Sequence, residues 1–336
     1  MVKVAFLGPL GTYSHQAAIQ QFSEADNCEY IPVKSIPQCF DRLKNELDID
    51  YAVVPLENST NGQVVFTYDL LRDWMLESDH AQGNEVLPEL EIVAEQYVSI
   101  ELCLISPVPL DLTDLSKIKI GKLYSHPQVW GQVPNYLESL RKRIGNVEKV
   151  DSDSTSGAVG ICCENYTVNN DVKDLAIASK TAALVHKAHI VDGPINDKKG
   201  NTTRFLVMRR RSPLRPSLNA SLENKIAAQR ISLLTFLIKQ DDPGSLVDVL
   251  EVFKMHNINM CSISSRPYHK LKKENSETIP EYTELDASDR KWQYVFFVEF
   301  AHAEERDWAK VFKDISSRCL SYCLWGTFFR DGRYYD

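Results

Sequence analysis

Short β-rich apolar runs alternate with segments of helical apolar spacing through the first two hundred or so residues. Val2–Leu7 is a strand-like run, and Gly8-Pro9-Leu10-Gly11 turns the chain after it. Thr12 and Ser14 are placed to cap a helix that begins near His15. Tyr30–Val33 reads as a strand, and Ser35 followed by Gln38 is a capping-box signal for a helix through Leu47. Tyr51–Pro55 reads as a buried strand. Glu57-Asn58-Ser59 leads into a helix around Val64–Trp74, and Glu91–Ser106 is a long β-rich stretch broken at Pro107.

The rhythm then repeats. Lys119–Tyr124 is a strand, Ser125-His126-Pro127 a turn, and Gln128–Lys142 an amphipathic helix. Val147–Val150 is a strand, and Asp153-Ser154-Thr155 caps a helix to about Glu164. Leu175–Ala178 (strand), Lys180–Lys187 (helix) and Thr203–Met208 (strand) complete the set. Strands alternating with helices predict βαβ units and mainly parallel sheets. Two such sets predict an α/β fold with two lobes around a cleft, where ligands sit beyond the carboxyl ends of the strands.

Arg209–Gln229 is basic, contains Pro and Ser, and reads as a linker. Beyond it the order changes: strand Ile231–Ile238, helix from Asp242-Pro243-Gly244-Ser245 to about His256, strands Met260–Ser264 and Trp292–Phe300, helix Glu304–Arg318, strand Tyr322–Phe328. This is the ferredoxin-like β-α-β-β-α-β order. Polar, charged Lys270–Asp289 reads as an extended loop. The expected organisation is a catalytic or binding region over 1–211, a linker over 212–229 and a further domain over 230–336. Lobe 1 is expected at about 1–106 and 188–211, lobe 2 at about 107–187.

Composition narrows the function. The 336 residues suffice for two or three domains, and 43% hydrophobic with 25% charged residues is ordinary globular composition. The net charge of −8 speaks against a broad nucleic-acid or anionic-membrane surface. Read naively, it also speaks against an anionic substrate. No stretch has the length of a membrane span, and the N-terminus resembles neither a signal nor a transit peptide, so a cytoplasmic protein is expected. The eight cysteines are scattered without CxxC or zinc-ligand spacing and are expected to be reduced, with no metal site.

Four segments concentrate turn residues and hydrogen-bonding side chains at strand ends: Gly8–Ser14, Pro55–Gly62, Ser125–Gln132 and Asn201–Phe205. They supply hydroxyls, amides, a histidine and Arg204, without a carboxylate pair. That inventory suits a small anion held by backbone N–H groups, helix N-termini and one cation. Taken alone it leaves enzyme and binder equally open.

Those residues carry a resemblance. Gly8-Pro9-Leu10-Gly11-Thr12-Tyr13-Ser14, Pro55-Leu56-Glu57-Asn58-Ser59, Ser125-His126-Pro127-Gln128 with Gln132, and Asn201-Thr202-Thr203-Arg204-Phe205 resemble, in the same order, the signature segments of prephenate dehydratases. Asp242-Pro243-Gly244-Ser245-Leu246 and Ser265-Arg266-Pro267 resemble the ACT regulatory domain of that family. The resemblance implies two periplasmic-binding-protein-like subdomains around a cleft, followed by the ACT domain. It implies conversion of prephenate to phenylpyruvate with loss of water and carbon dioxide, in phenylalanine biosynthesis, without a cofactor. No chorismate mutase helix bundle precedes the first strand, so a monofunctional arrangement is expected.

The family's Thr-Arg-Phe motif maps onto Thr203, Arg204 and Phe205, with Thr203 at the catalytic position. Thr203 is expected to donate to the leaving hydroxyl, and Arg204 to pair with a substrate carboxylate or to organise the site. Thr12, Ser14, Asn58, Ser59, Gln128, Ser154 and Thr155 are the expected substrate-binding residues, and Glu57 an orienting one. Plainer readings stand beside these: Ser154 and Thr155 as caps, Phe205 as core, His126 as a turn-holder, and Gly8 and Gly11 as a simple turn. Phenylalanine is expected to bind around Gly244, Ser245, Leu246, Ser265, Arg266 and Pro267, and the chain to form a homodimer or homotetramer. Two departures bear on regulation: Ser245 stands where alanine is common, and Ser264 where glutamate usually precedes Ser-Arg-Pro. Arogenate, with an amine in place of the ketone, would suit the same machinery, and a non-catalytic anion or amino-acid sensor is the alternative of a different class.

Overall fold

The computed structural model describes residues 1–23, 27–78, 81–111, 119–167, 172–212, 229–239, 242–268 and 293–334. Most of the expected linker and all of the Lys270–Asp289 loop lie outside them. Two compact units make up the chain: Met1–Thr67 with Glu95–Arg210 and the segment from Arg333, and Tyr68–Ala94 with Arg211–Gly332.

The first unit contains two sheets. One has the order Cys28–Val33, Val2–Leu7, Tyr51–Asn58, Thr202–Arg210, and then the strand Leu90–Ser99, of which Glu95–Ser99 belongs to this unit. Val2–Leu7 runs parallel to both its neighbours, whereas Thr202–Arg210 runs antiparallel to Tyr51–Asn58. The run Tyr51–Leu56 is wholly buried, as its apolar sequence requires of a central strand. The second sheet has the order Glu148–Asp151, Lys119–Ser125, Val172–Ala178, Cys103–Ser106, His189–Asp192. Its core pairs Leu104, Leu123, Leu175 and Ile177 with Val129, Val133 and Leu140 on one face. On the other, Ile105, Tyr124 and Ala176 meet Ala158, Val159 and Ala182.

Both sheets are mixed rather than mainly parallel: the first because the chain returns through Thr202–Arg210, the second because the chain enters it through Cys103–Ser106 and leaves it through His189–Asp192. Both of these strands pair antiparallel. The second lobe is therefore wider than the expected 107–187. The long β-rich stretch resolves into two strands that belong to different sheets, and His189–Asp192 forms a further strand. The expected helix Gln128–Lys142 divides into Pro127–Trp130 and Pro134–Ile144, since proline cannot continue a helix but starts one well.

The second unit has the strand order Met260–Tyr268, Gln293–His302, Arg230–Leu237, Ser321–Phe329, extended by Glu85–Val86 and Ala81–Gln82. The helices Ser245–Met255 and Trp308–Ser316 complete the ferredoxin-like order, with Phe236, Val249, Phe253, Phe300, Val311 and Ile315 in the core. Residues 68–94, expected in lobe 1, belong to this unit. Tyr68 packs edge-on against Phe297, with ring centroids 5.1 Å apart.

Candidate active site

The antiparallel register between Tyr51–Asn58 and Thr202–Arg210 sets Asn58 opposite Thr203 and Glu57 opposite Arg204. Neighbouring residues of a strand face opposite sides, so Asn58 and Thr203 share one face and Glu57 and Arg204 the other. The Asn58 amide nitrogen donates to Thr203 Oγ1 at 2.9 Å and to Asn201 Oδ1 at 2.7 Å. Asn58 Oδ1 accepts from the backbone N–H groups of Thr60 and Asn61, both at 2.9 Å, so its side chain is held at both ends. The Asn201 amide nitrogen continues the chain to Gln132 Oε1 at 3.0 Å. Ser59 Oγ closes the loop by accepting from Thr202 N at 2.9 Å and donating to Gly200 O at 3.1 Å.

This network leaves Thr203 chemically distinctive. Its oxygen accepts from Asn58, and among the described residues no acceptor takes its own O–H. A hydroxyl polarised this way is free to donate to a ligand, and the Asn58 N–H steadies charge that builds on the oxygen as it does so.

The opposite face is buried and ionic. Arg204 is 3% exposed, and its Nε donates to Glu95 Oε2 at 2.8 Å while NH1 donates to Glu57 Oε1 at 2.9 Å. Of the two expected roles for Arg204, pairing with a substrate carboxylate is excluded by this burial, and organising the site remains. Glu57 holds Arg204 from the neighbouring strand. Phe205 is 2% exposed and packs in the core, so it has no access to a ligand.

The loop Gly8–Gly11 reaches the second lobe. Ser156 Oγ donates to Leu10 O at 2.5 Å, and Ser179 Oγ donates to Gly11 O at 3.0 Å. Gly11 has φ +85°, and a Cβ there would stand 2.5 Å from Ser156 Oγ and 3.0 Å from Ala182 Cα. Glycine is thus required by both conformation and close approach, beyond a simple turn. His15 Nδ1 accepts from Gly11 N at 3.0 Å, and burial lowers the His15 pKa below its ordinary value. Burial favours the neutral ring, and the Gly11 N–H sets Nδ1 as its acceptor nitrogen.

Other expected residues are less directly placed. Thr12 caps helix Tyr13–Phe22 by accepting from His15 N, and its hydroxyl donates to Leu7 O, so it offers a helix N-terminus rather than a free hydroxyl. Ser14 is buried in the first turn of that helix. Ser154 caps Thr155–Asn165 by accepting from Gly157 N at 2.9 Å, as its plainer reading held, and Thr155 begins the helix. His126 caps its short helix through Gln128 N. Gln128 lies exposed; Gln132 is the member of its segment that joins the Asn58 network. Gln132 stood in the motif without an assigned role, and Glu95 had no signal beyond being one of two glutamates in the β-rich run Leu90–Ser99.

In the second unit, Gly244 (φ +96°) starts helix Ser245–Met255, where Ser245 is buried and Leu246 packs against the core. Arg266 is engaged by Asp69 through Nε and NH2, at 2.7 and 3.1 Å. Arg72 donates to Asp69 and to the carbonyl of Pro267, at 2.8 and 2.6 Å. Ser265 is exposed. Among the described residues no group of His, Cys, Asp or Glu is arranged to hold a metal ion, and no helix is long and apolar enough to cross a membrane.

Fold and site together define a two-lobed α/β protein with a polar side-chain network at the strand ends and a ferredoxin-like module. The sequence model of the prephenate dehydratase family matches residues 4–213. A "Probable prephenate dehydratase" of Saccharomyces cerevisiae is 48% identical over 99% of this chain and 98% of its own length. The chain belongs to the prephenate dehydratase family. Among solved structures, the prephenate dehydratase of Arthrobacter aurescens in complex with L-Phe has a TM-score of 0.70 at 21% identity, covering 98% of this chain and 90% of that one. The Staphylococcus aureus prephenate dehydratase has a TM-score of 0.65 at 25% identity, covering 97% and 100%.

Proposed function

We propose that this chain converts prephenate to phenylpyruvate, with the Thr203 hydroxyl passing a proton to the departing hydroxyl and regaining it from solvent water. The observation that carries the reading is the Asn58 amide donating into Thr203 Oγ1 at 2.9 Å. In the reaction the bond from the ring to its carboxylate breaks and carbon dioxide leaves. The electron pair moves through the ring and expels the ring hydroxyl, which takes a proton and departs as water. Aromatisation drives the step, and hydroxide is the difficult leaving group. A positioned donor typically contributes about 10²–10⁴-fold to such a transfer.

The substrate carboxylates meet helix N-termini rather than Arg204 in this reading. Helices Tyr13–Phe22 and Thr155–Asn165 carry no acidic residue in their first turns, which keeps those termini favourable to anions. Asn58, Ser59 and Gln132 complete the polar wall. The module around Gly244 and Ser265–Pro267 binds phenylalanine as an inhibitor in this reading, and the chain assembles as a homodimer or dimer of dimers. The ferredoxin-like order and the L-Phe complex of the Arthrobacter protein support the regulatory part.

The test is phenylpyruvate formation by the purified protein from prephenate, with arogenate as the competing substrate. Turnover of prephenate with Thr203→Ala reduced at least tenfold in kcat is expected. Strong preference for arogenate would move the substrate assignment, and binding of prephenate without turnover would favour a sensor.

A further inference from the structure

Arg204 is too deeply buried to touch substrate, yet it directly follows the residue proposed to do the chemistry. Its partner Glu95 comes from a different strand and is more buried still, with a fully covered side chain 2.7 Å from Arg204 NH2. Two nitrogens of the guanidinium, Nε and NH2, therefore converge on the same carboxylate, and NH1 reaches Glu57. The Tyr97 hydroxyl donates to Glu95 Oε2 at 3.4 Å, and the Tyr97 ring lies 5.9 Å from the guanidinium carbon. The Arg204 pairing with Glu57 is the last regular register before a shift between Arg204 and Phe205, and the Thr203 pairing with Asn58 lies one residue from it. A strand interrupted there has lost the ladder geometry that would otherwise fix how its peptide planes are turned.

We propose that Glu95 is a positioning residue of the dehydratase reaction. By clamping Arg204 from below, it sets the rotation of the strand that aims the Thr203 hydroxyl. This rests on the function proposed above. A fully buried carboxylate is costly unless paired, and a buried pair is weak evidence for stability on its own account. The rigidity gained at the register shift gives the pair a use: an aim error of about 1 Å at a reacting group costs on the order of 10²-fold.

Glu95→Gln keeps the shape and one acceptor while removing the charge that grips the guanidinium. The expected result is a kcat lower by tenfold or more with KM within about twofold of wild type, because substrate contacts are untouched. In a Thr203→Ala background the same substitution is expected to change kcat by less than twofold, since the group it aims is already gone. A purely structural role would instead give additive losses, and that result overturns the proposal, as does an unchanged kcat in the single variant. Should Glu95→Gln fail to fold, Tyr97→Phe removes only the hydroxyl support. It is expected to lower kcat several-fold at constant KM, and wild-type kinetics there would overturn the proposal. Wild-type protein that turns over no prephenate would overturn the functional reading itself, an outcome distinct from an active wild type with an indifferent Glu95→Gln variant.

Discussion

Asn58→Asp exchanges a donor for an acceptor almost without changing shape. The oxygen that accepts from Thr60 N and Asn61 N is retained, so the turn after the strand keeps both of its 2.9 Å bonds. The nitrogen that donates to Thr203 Oγ1 and Asn201 Oδ1 becomes a second carboxylate oxygen. The Thr203 O–H then turns to donate to that carboxylate and is withdrawn from the ligand. Removing one donor from a developing-charge site typically costs about 10²–10³-fold in kcat. The new charge also opposes a dianionic substrate: like charges about 4 Å apart repel by roughly 4 kcal/mol at an effective dielectric near 20, less where water enters. The expectation is a kcat loss of about 10²-fold or more, a raised KM, and a thermal midpoint close to wild type. Steady-state phenylpyruvate formation measures the first two and a thermal melt the third. A variant within threefold of wild type in kcat would refute the role given to the Asn58–Thr203 bond.

Gly11→Ala should destabilise by several kcal/mol, from about 1–2 kcal/mol for the left-handed backbone plus about 1–3 for the overpacking against Ser156 and Ala182. An unchanged melting temperature would contradict the close approach. His302 is held at a pKa of about 4 by burial and by Arg230 and Arg306, against an ordinary 6.5. Its neutral form, bonded to Ser232 Oγ and stacked on Trp308, gives stability that is complete above pH 6.5 and lost as pH falls toward 4. His302→Gln should flatten that acid-side fall in melting temperature, and an identical slope would remove His302 from it. Phenylalanine at a hundred times its Kd should stabilise by about 2.7 kcal/mol. No thermal shift and no inhibition at millimolar phenylalanine would sink the regulatory reading.

Much of this was legible in the sequence because local signals and long-range placement agreed. Ser35, Ser154 and Thr12 cap the helices their spacing announced. The ferredoxin-like order stood in the alternation of elements, and Thr203 and Asn58 stood at strand ends. What escaped was set by pairing between distant segments. Whether Cys103–Ser106 joins the first sheet or the second depends on partners some seventy residues away, and its own apolar run suits either. Arg204 looked like the cation of an anion site because nothing local showed Glu95 and Glu57 converging on it. Arg266 likewise gave no sign of Asp69. The net charge of −8 proved as poor a guide as that arginine, since a charge summed over the whole surface does not report the local field at one site.

The decisive experiment is the rate of phenylpyruvate formation from prephenate by wild-type protein beside Thr203→Ala and Thr203→Ser. A working wild type, a serine variant that keeps a hydroxyl and much of the rate, and an alanine variant at least tenfold slower are the expected results. An alanine variant as fast as wild type would show that the Thr203 hydroxyl does not carry the proton.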